Sequence, residues 1–161
     1  ALRVKHKPGS TLWLDSSRYV LQEYYFHAPG EHIIDGQAYP LEAHLVHKDA
    51  NGRILVVAVF YGEGDTDPQL DALLRQLPPA LGQVGPMQMG LTPERLLPRL
   101  RMYYRYNGSL TTPPCSEGVR WVMLRQPMAA SKWQLQAMKA IVGGNNARPV
   151  QPIFARRVLE Q

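Results

Sequence analysis

The eight residues Ile54 to Tyr61 (ILVVAVFY) form an unbroken apolar run entered through the turn signal Asn51-Gly52. The run is far shorter than the roughly 18–20 apolar residues a membrane span needs, and no other run in the chain approaches that length. A short, β-branched run with no polar face is a strand covered on both sides, at the centre of a sheet. Other segments supply its neighbours. Residues 19–27 (YVLQEYYFH) read as a strand broken by Ala28-Pro29-Gly30. Tyr39 to His47 reads as a second strand, with Asp35-Gly36 as the turn before it. Met102 to Tyr106 and Gly118 to Leu124 read as further strands, and Pro93 to Leu97 as a helical turn. Two helices are expected. Pro68 to Leu77 carries Leu70, Leu73, Leu74 and Leu77 at helical spacing behind an Asp67 N-cap. Ser131 to Val142 is capped by Ser131 and stopped by Gly143-Gly144. The expectation is a mainly β, α+β fold with accessory helices.

A chain of 161 residues has single-domain length, and its 45% hydrophobic and 19% charged residues exclude a wholly disordered polymer. Its 14 prolines and 13 glycines suit a sheet with many turns. The net charge of +5 raises the question of an acidic partner. The densest basic group, Arg95, Arg99, Arg101 and Arg105, is interleaved with Leu96, Leu97, Leu100, Met102 and Tyr103 and forms no aromatic–basic platform. Nucleic acid is therefore not an expected partner. The opening Ala1-Leu2-Arg3-Val4-Lys5 reads as the interior of a domain rather than a signal peptide. The lone Cys115 is either a free thiol or half of a bridge to a segment outside these residues.

Chemistry concentrates in one region. His27, Glu31, His32, Glu42, His44 and His47 lie within 21 residues. Side chains alternate along a strand, so positions 23, 25 and 27 share one face, as do 42 and 44. If the two strands are neighbours, His27 and His44 converge, as imidazoles do at a tetrahedral zinc site. Glu42 is spaced to accept from His44 and fix its tautomer. Taken singly, each of these residues also reads as an ordinary polar group on a half-exposed sheet. Two histidines fall short of the usual three ligands. A cupin-type arrangement fits less well: the position two before His27 is Tyr25, and the expected downstream glycine is out of place.

Four stretches carry a resemblance. NGSLTTPPC at 107–115 (continued by Glu117 and Gly118-Val119-Arg120-Trp121), FHAPGEHIIDG at 26–36, EAHLVH at 42–47 and NNARPVQP at 145–152 resemble the α-class carbonic anhydrases in order and spacing. The resemblance covers nearly the whole chain. It implies a large, twisted, mostly antiparallel central sheet with short peripheral helices, formed by 1–161 as one domain, and a zinc site on the central strands. It further implies that an N-terminal portion of the family domain lies upstream of Ala1, with the proton-shuttle histidine and a disulfide partner for Cys115. His27 and His44 match the second and third zinc-ligand positions. Thr111 matches the gatekeeper whose hydroxyl donates to a buried glutamate, here Glu31, and Thr112 completes the polar wall. Val46, Val56, Leu110, Val119 and Trp121 match the apolar wall that holds carbon dioxide. Glu42 matches the acceptor for the third histidine, and Asn146 lies in the segment supporting the second.

The match fails at the first zinc ligand, where this chain has Tyr25, and at the glutamine two residues earlier, where it has Glu23. Members lacking a zinc histidine are related proteins without catalysis that bind partners instead, and the resemblance implies the same here: a binding or structural module, its zinc weak or absent. An active zinc lyase converting carbon dioxide and bicarbonate is the alternative. A phenol ligates only as an anion, and Glu23 beside it disfavours ionisation. Tyr25 is therefore expected to fill the vacated place with its hydroxyl and to hydrogen-bond His27 or His44. The family's exported bacterial members imply a periplasmic or extracellular location.

Overall fold

The computed structural model describes residues 2–6, 9–77 and 92–161. In chain order the strands are β1 (Arg3–Lys5), β2 (Thr11–Leu14), β3 (Ser17–His27), β4 (Ile33–Ile34), β5 (Gln37–Ala38), β6 (Leu41–Lys48) and β7 (Ile54–Glu63). Helix α1 (Pro68–Gln76) and a 3-10 turn at Pro93–Leu96 precede β8 (Tyr103–Ser109), β9 (Glu117–Leu124) and β10 (Met128–Ala130). Helix α2 (Lys132–Ile141) and β11 (Leu159–Glu160) complete the chain.

One sheet of nine strands dominates, in the order β1-β3-β6-β7-β9-β8-β11, with β2 also on β3 and β10 on β7. The pairs β3–β6, β6–β7 and β8–β9 are antiparallel, while β7 pairs in parallel with both β9 and β10. The apolar run of β7 sits near the middle with both faces buried, as its composition requires. One face packs against the helices: Leu41, Ala43, Leu45, Leu55, Val57, Val59 and Tyr61 meet Leu70, Leu73, Leu135 and Met138 in one core cluster. The opposite face has a smaller cluster of Val46, Val56, Ala58, Phe60, Val119, Trp121 and Met123. The site lies on this second face.

The local reasons are ordinary ones. Asp67 caps α1 by accepting from the N–H groups of Gln69 and Leu70. Ser131 and Gln134 close a capping box on α2. β6 begins at Leu41 rather than at Tyr39, since Pro40 has no N–H to give a ladder. β8 continues past Tyr106 to Ser109, because Asn107, Gly108 and Ser109 keep their partners on β9 across a register shift. The Asp35-Gly36 turn, with both residues at positive φ, closes the small hairpin β4–β5 instead of joining β3 directly to β6. The short strands β1, β2, β10 and β11 go unannounced in the sequence; β1, β2 and β11 lie at the rim of the sheet, where burial imprints little pattern.

Candidate metal centre

Strand β3 lies antiparallel beside β6, with His27 opposite Glu42 and Tyr25 opposite His44. This register brings the imidazoles of His27 and His44 together at 4.6 Å between ring centroids. Both side chains are buried, as is that of Glu31, at 4%, 1% and 4% exposure respectively.

Glu42 organises the floor of the site. Its Oε1 lies 2.6 Å from His44 Nε2 and 2.6 Å from His32 Nδ1. Its Oε2 accepts from the backbone N–H groups of Glu31 at 2.7 Å and His32 at 3.0 Å. Gly30 makes that loop possible: a Cβ there would stand 2.9 Å from Glu42 Oε2. Burial pushes the Glu42 carboxyl up, but His32 and His44 together outweigh it and hold the group well below the usual carboxylate range. With Nε2–H given to Glu42, His44 keeps its Nδ1 lone pair, 3.8 Å from Glu31 Oε2. His32 spends its second nitrogen on Tyr106, whose hydroxyl is 2.7 Å from Nε2. Burial, then the nearby Glu42 charge, raises the Tyr106 pKa and keeps that phenol a donor.

His27 is held from the other side. Its Nδ1 faces the Asn146 carbonyl at 3.4 Å. The Asn146 side chain clamps the end of β3, accepting from Ala28 N–H at 2.9 Å and donating to Phe26 O at 3.0 Å. Burial, with the neighbouring His44, lowers the His27 pKa, so the ring is neutral. Its Nε2 is buried without a hydrogen-bond partner, and so is Glu31 Oε2. The other Glu31 oxygen accepts from Arg148 N–H at 2.7 Å.

Two expectations fail here. Thr111 does not donate to Glu31, whose Oε2 is left unpaired; Thr111 and Thr112 line the adjacent pocket instead. Tyr25 does not reach into the site to satisfy either imidazole. Its ring lies edge-on to both, 6.3 Å from His27 and 6.5 Å from His44. The reason is on the neighbouring strand β1: Arg3 sits over the Tyr25 ring, 5.9 Å from its centroid, and pairs with Glu23 at 2.6 Å. Glu23 therefore faces an arginine, an arrangement the sequence reading missed.

The pocket beside His44 is lined by Tyr25, Val46, Val56, Leu110, Thr111, Thr112 and Trp121. Val119 is buried just behind, in the same cluster as Val46, Val56 and Trp121. Trp121 is fixed by donating Nε1–H to Ser109 O at 3.0 Å. His47 points to the opposite face of β6 and takes no part in the site, donating instead to Leu45 O at 2.8 Å. His32 stood in the sequence cluster without a role, and Tyr106 and Arg148 were not singled out. Tyr106 of β8 joins the centre through His32, and Arg148 through Glu31, contacts that only the tertiary fold creates.

The chemistry of the donor set fits a zinc ion. A neutral imidazole nitrogen, His27 Nε2, and a carboxylate oxygen, Glu31 Oε2, are each buried without a partner, and both atom types are zinc ligands. His27, Glu31 and His44 each offer a donor atom, all within 4.8 Å of one another.

The model of the eukaryotic-type carbonic anhydrase family matches residues 5–161, and the chain belongs to that family, the α-carbonic anhydrases. A carbonic anhydrase of Pectobacterium carotovorum is 41% identical over 158 residues, covering 98% of this chain and 65% of the relative. One of Neisseria gonorrhoeae is 41% identical over 152 residues, covering 94% of this chain and 60% of the relative. The chain thus spans about two thirds or less of the length of these curated relatives. Among solved structures, the α-carbonic anhydrase of Thermovibrio ammonificans, in complex with the inhibitor sulfanilamide, superposes with a TM-score of 0.93 at 45% identity. That match covers 97% of this chain and 69% of the other. Dioscorin, complexed with ascorbate, shares the fold at a TM-score of 0.85 and 32% identity, covering 98% of this chain and 69% of its own.

Proposed function

We propose that this α-carbonic-anhydrase domain is impaired in, or incapable of, hydrating carbon dioxide, and serves as a binding or structural module. The single observation that carries the reading is Tyr25. It stands on the site face of β3, opposite His44, where the family resemblance implies the first zinc imidazole. Burial, then the Glu23 charge, raises the Tyr25 pKa against the opposing pull of Arg3. The side chain is thus a neutral phenol, a poor exchange for an imidazole.

Zinc held by three neutral imidazoles lowers the pKa of a bound water from 15.7 to about 7, which supplies the nucleophile of hydration. The residues of this chain would hold zinc through His27 and His44, with Glu42 and Asn146 orienting the rings. The apolar wall of Val46, Val56, Leu110 and Trp121 suits carbon dioxide, or another small, weakly polar ligand. A third imidazole is missing, and so is the Thr111–Glu31 hydrogen bond that would orient a nucleophile.

The second reading, an active zinc carbonic anhydrase, is favoured by the names of the relatives and by the intact supports of His27 and His44. Oxygen-isotope exchange between carbon dioxide and water, measured on the chain after zinc loading, separates the two. The impaired reading expects exchange at the buffer rate. Fast, sulfonamide-sensitive exchange with one zinc per chain would overturn it.

A further inference from the structure

The site contains two groups of candidate ligands, and they differ in how their lone pairs are spent. In His32, Glu42 and His44 the polar atoms already bond one another, at 2.6 Å for both histidine contacts. A cation there would have to break those bonds. In His27, Glu31 and His44 the reverse holds. His27 Nε2 and Glu31 Oε2 are buried and unpartnered, and His44 Nδ1 lies 3.8 Å from Glu31 Oε2. Four-coordinate zinc with bonds of about 2.0–2.2 Å sets its donors roughly 3.3–3.6 Å apart. The His44–Glu31 spacing is within a small side-chain adjustment of that, and one donor atom from each of His27, Glu31 and His44 lies within 4.8 Å of the others.

We propose that the chain binds a divalent transition-metal ion through His27, His44 and the Glu31 carboxylate, a two-histidine, one-carboxylate set that excludes Tyr25. The inference deepens the impaired reading and rests on it for the identity of the site. A buried carboxylate is costly unless it is paired or bound to a metal. Here one of its oxygens has only the Arg148 N–H, with His27 Nδ1 at 3.3 Å, and the other has nothing. A cation answers the carboxylate and the orphaned imidazole nitrogen together, while Tyr25 stays beside the pocket with Arg3. It also accounts for lost catalysis. An anionic ligand makes the metal a weaker Lewis acid, and a glutamate engaged as ligand is not free to accept from Thr111.

The test is metal binding by the whole chain, read without reference to activity. Equilibrium dialysis with Co2+ and Zn2+ is expected to give one ion per chain. Zinc-edge X-ray absorption of the parent is expected to count two imidazoles. Glu31→Gln, which keeps an acceptor for Arg148 N–H, is expected to weaken binding at least about 100-fold, beyond the 10–100-fold typical of residues behind the ligands. Tyr25→Phe is expected to leave affinity within about threefold. Three imidazoles at the zinc, no retained ion, a folded Glu31→Gln that binds like the parent, or a Tyr25→Phe that loses the metal would each overturn the proposal. Should Glu31→Gln fail to fold by circular dichroism, the imidazole count on the parent decides. A slow parent whose Glu31→Gln still holds the metal overturns the donor set alone. A parent with the proposed donor set and fast hydration overturns the impaired reading alone.

Discussion

Tyr25 and His44 face each other across the β3–β6 ladder, with their rings 6.5 Å apart and inclined at 70°, and no hydrogen bond joins them. The phenol lies edge-on to both imidazoles and stands in for neither ring nitrogen. On its other side Arg3 of β1 lies over the ring and pairs with Glu23.

Tyr25→His should therefore be a gain of function for metal. It restores a third neutral imidazole on the face shared by His27 and His44. Zinc affinity is expected to rise by at least about tenfold, the scale on which even residues behind the ligands act. Hydration should reappear only in part, because Glu23 remains beside the new histidine. Competition with a chromophoric chelator measures the affinity. An unchanged dissociation constant would remove Tyr25 as the cause of the defect.

Glu42 is the most heavily used acceptor in the site, serving two imidazoles and two backbone N–H groups. Glu42→Gln must turn an NH2 toward one pair of those donors. The expected cost is about 3 kcal/mol in urea unfolding, the upper range for leaving buried polar groups unmet. The same residue sets an acid limit. Its folded pKa lies well below the ordinary 4.5, so its contribution is fully present above 4.5 and is lost as pH falls through the folded value. Urea midpoints of parent and variant should converge in strong acid. A constant gap down to that range would contradict the linkage.

The alternation of β6 was legible, because a strand with period two and buried on both faces has to put Glu42, His44 and Val46 on one side and Leu45 and His47 on the other. The convergence of His27 and His44 followed from that alternation once the strands were paired. What the sequence could not supply were contacts fixed by distant elements. His32 finds Tyr106 from β8, and Arg148 meets Glu31 from a segment without regular structure. No periodicity encodes either. The β4–β5 hairpin was hidden for a different reason: its Asp35-Gly36 turn is a strong signal, but the flanking strands of two residues each leave no pattern.

His47 offers a pH test separate from the metal centre. Burial lowers its pKa from 6.5 to about 4, against hydrogen bonds to the backbone at Leu45 and Leu55. A depressed histidine favours the fold fully above the unfolded value. That advantage is lost as pH falls from 6.5 to about 4, by about 3 kcal/mol at 1.36 kcal/mol per unit. His47→Leu should flatten the dependence of the urea midpoint over this window while leaving zinc affinity unchanged. A slope equal to that of the parent would assign the acid sensitivity elsewhere.

Thr111 tells the two functional readings apart by a small effect. A gatekeeper hydroxyl that donates to a glutamate and orients the nucleophile contributes on the scale of one preorganised hydrogen bond, about 10²–10³-fold. Here Glu31 Oε2 has no partner, and Thr111 lies along the wall of the pocket. Thr111→Val removes the hydroxyl and keeps the shape. If Glu31 is engaged with an ion and not with Thr111, the variant should change stability and any residual isotope exchange by less than about threefold. The same substitution in the Tyr25→His background is the sharper measurement. A third imidazole frees Glu31 to accept from Thr111, so the hydroxyl should now matter, and its removal should lower the recovered rate at least about 100-fold. An equally large loss in both backgrounds would mean that Glu31 and Thr111 act together regardless of Tyr25, and the impaired reading would have to be abandoned.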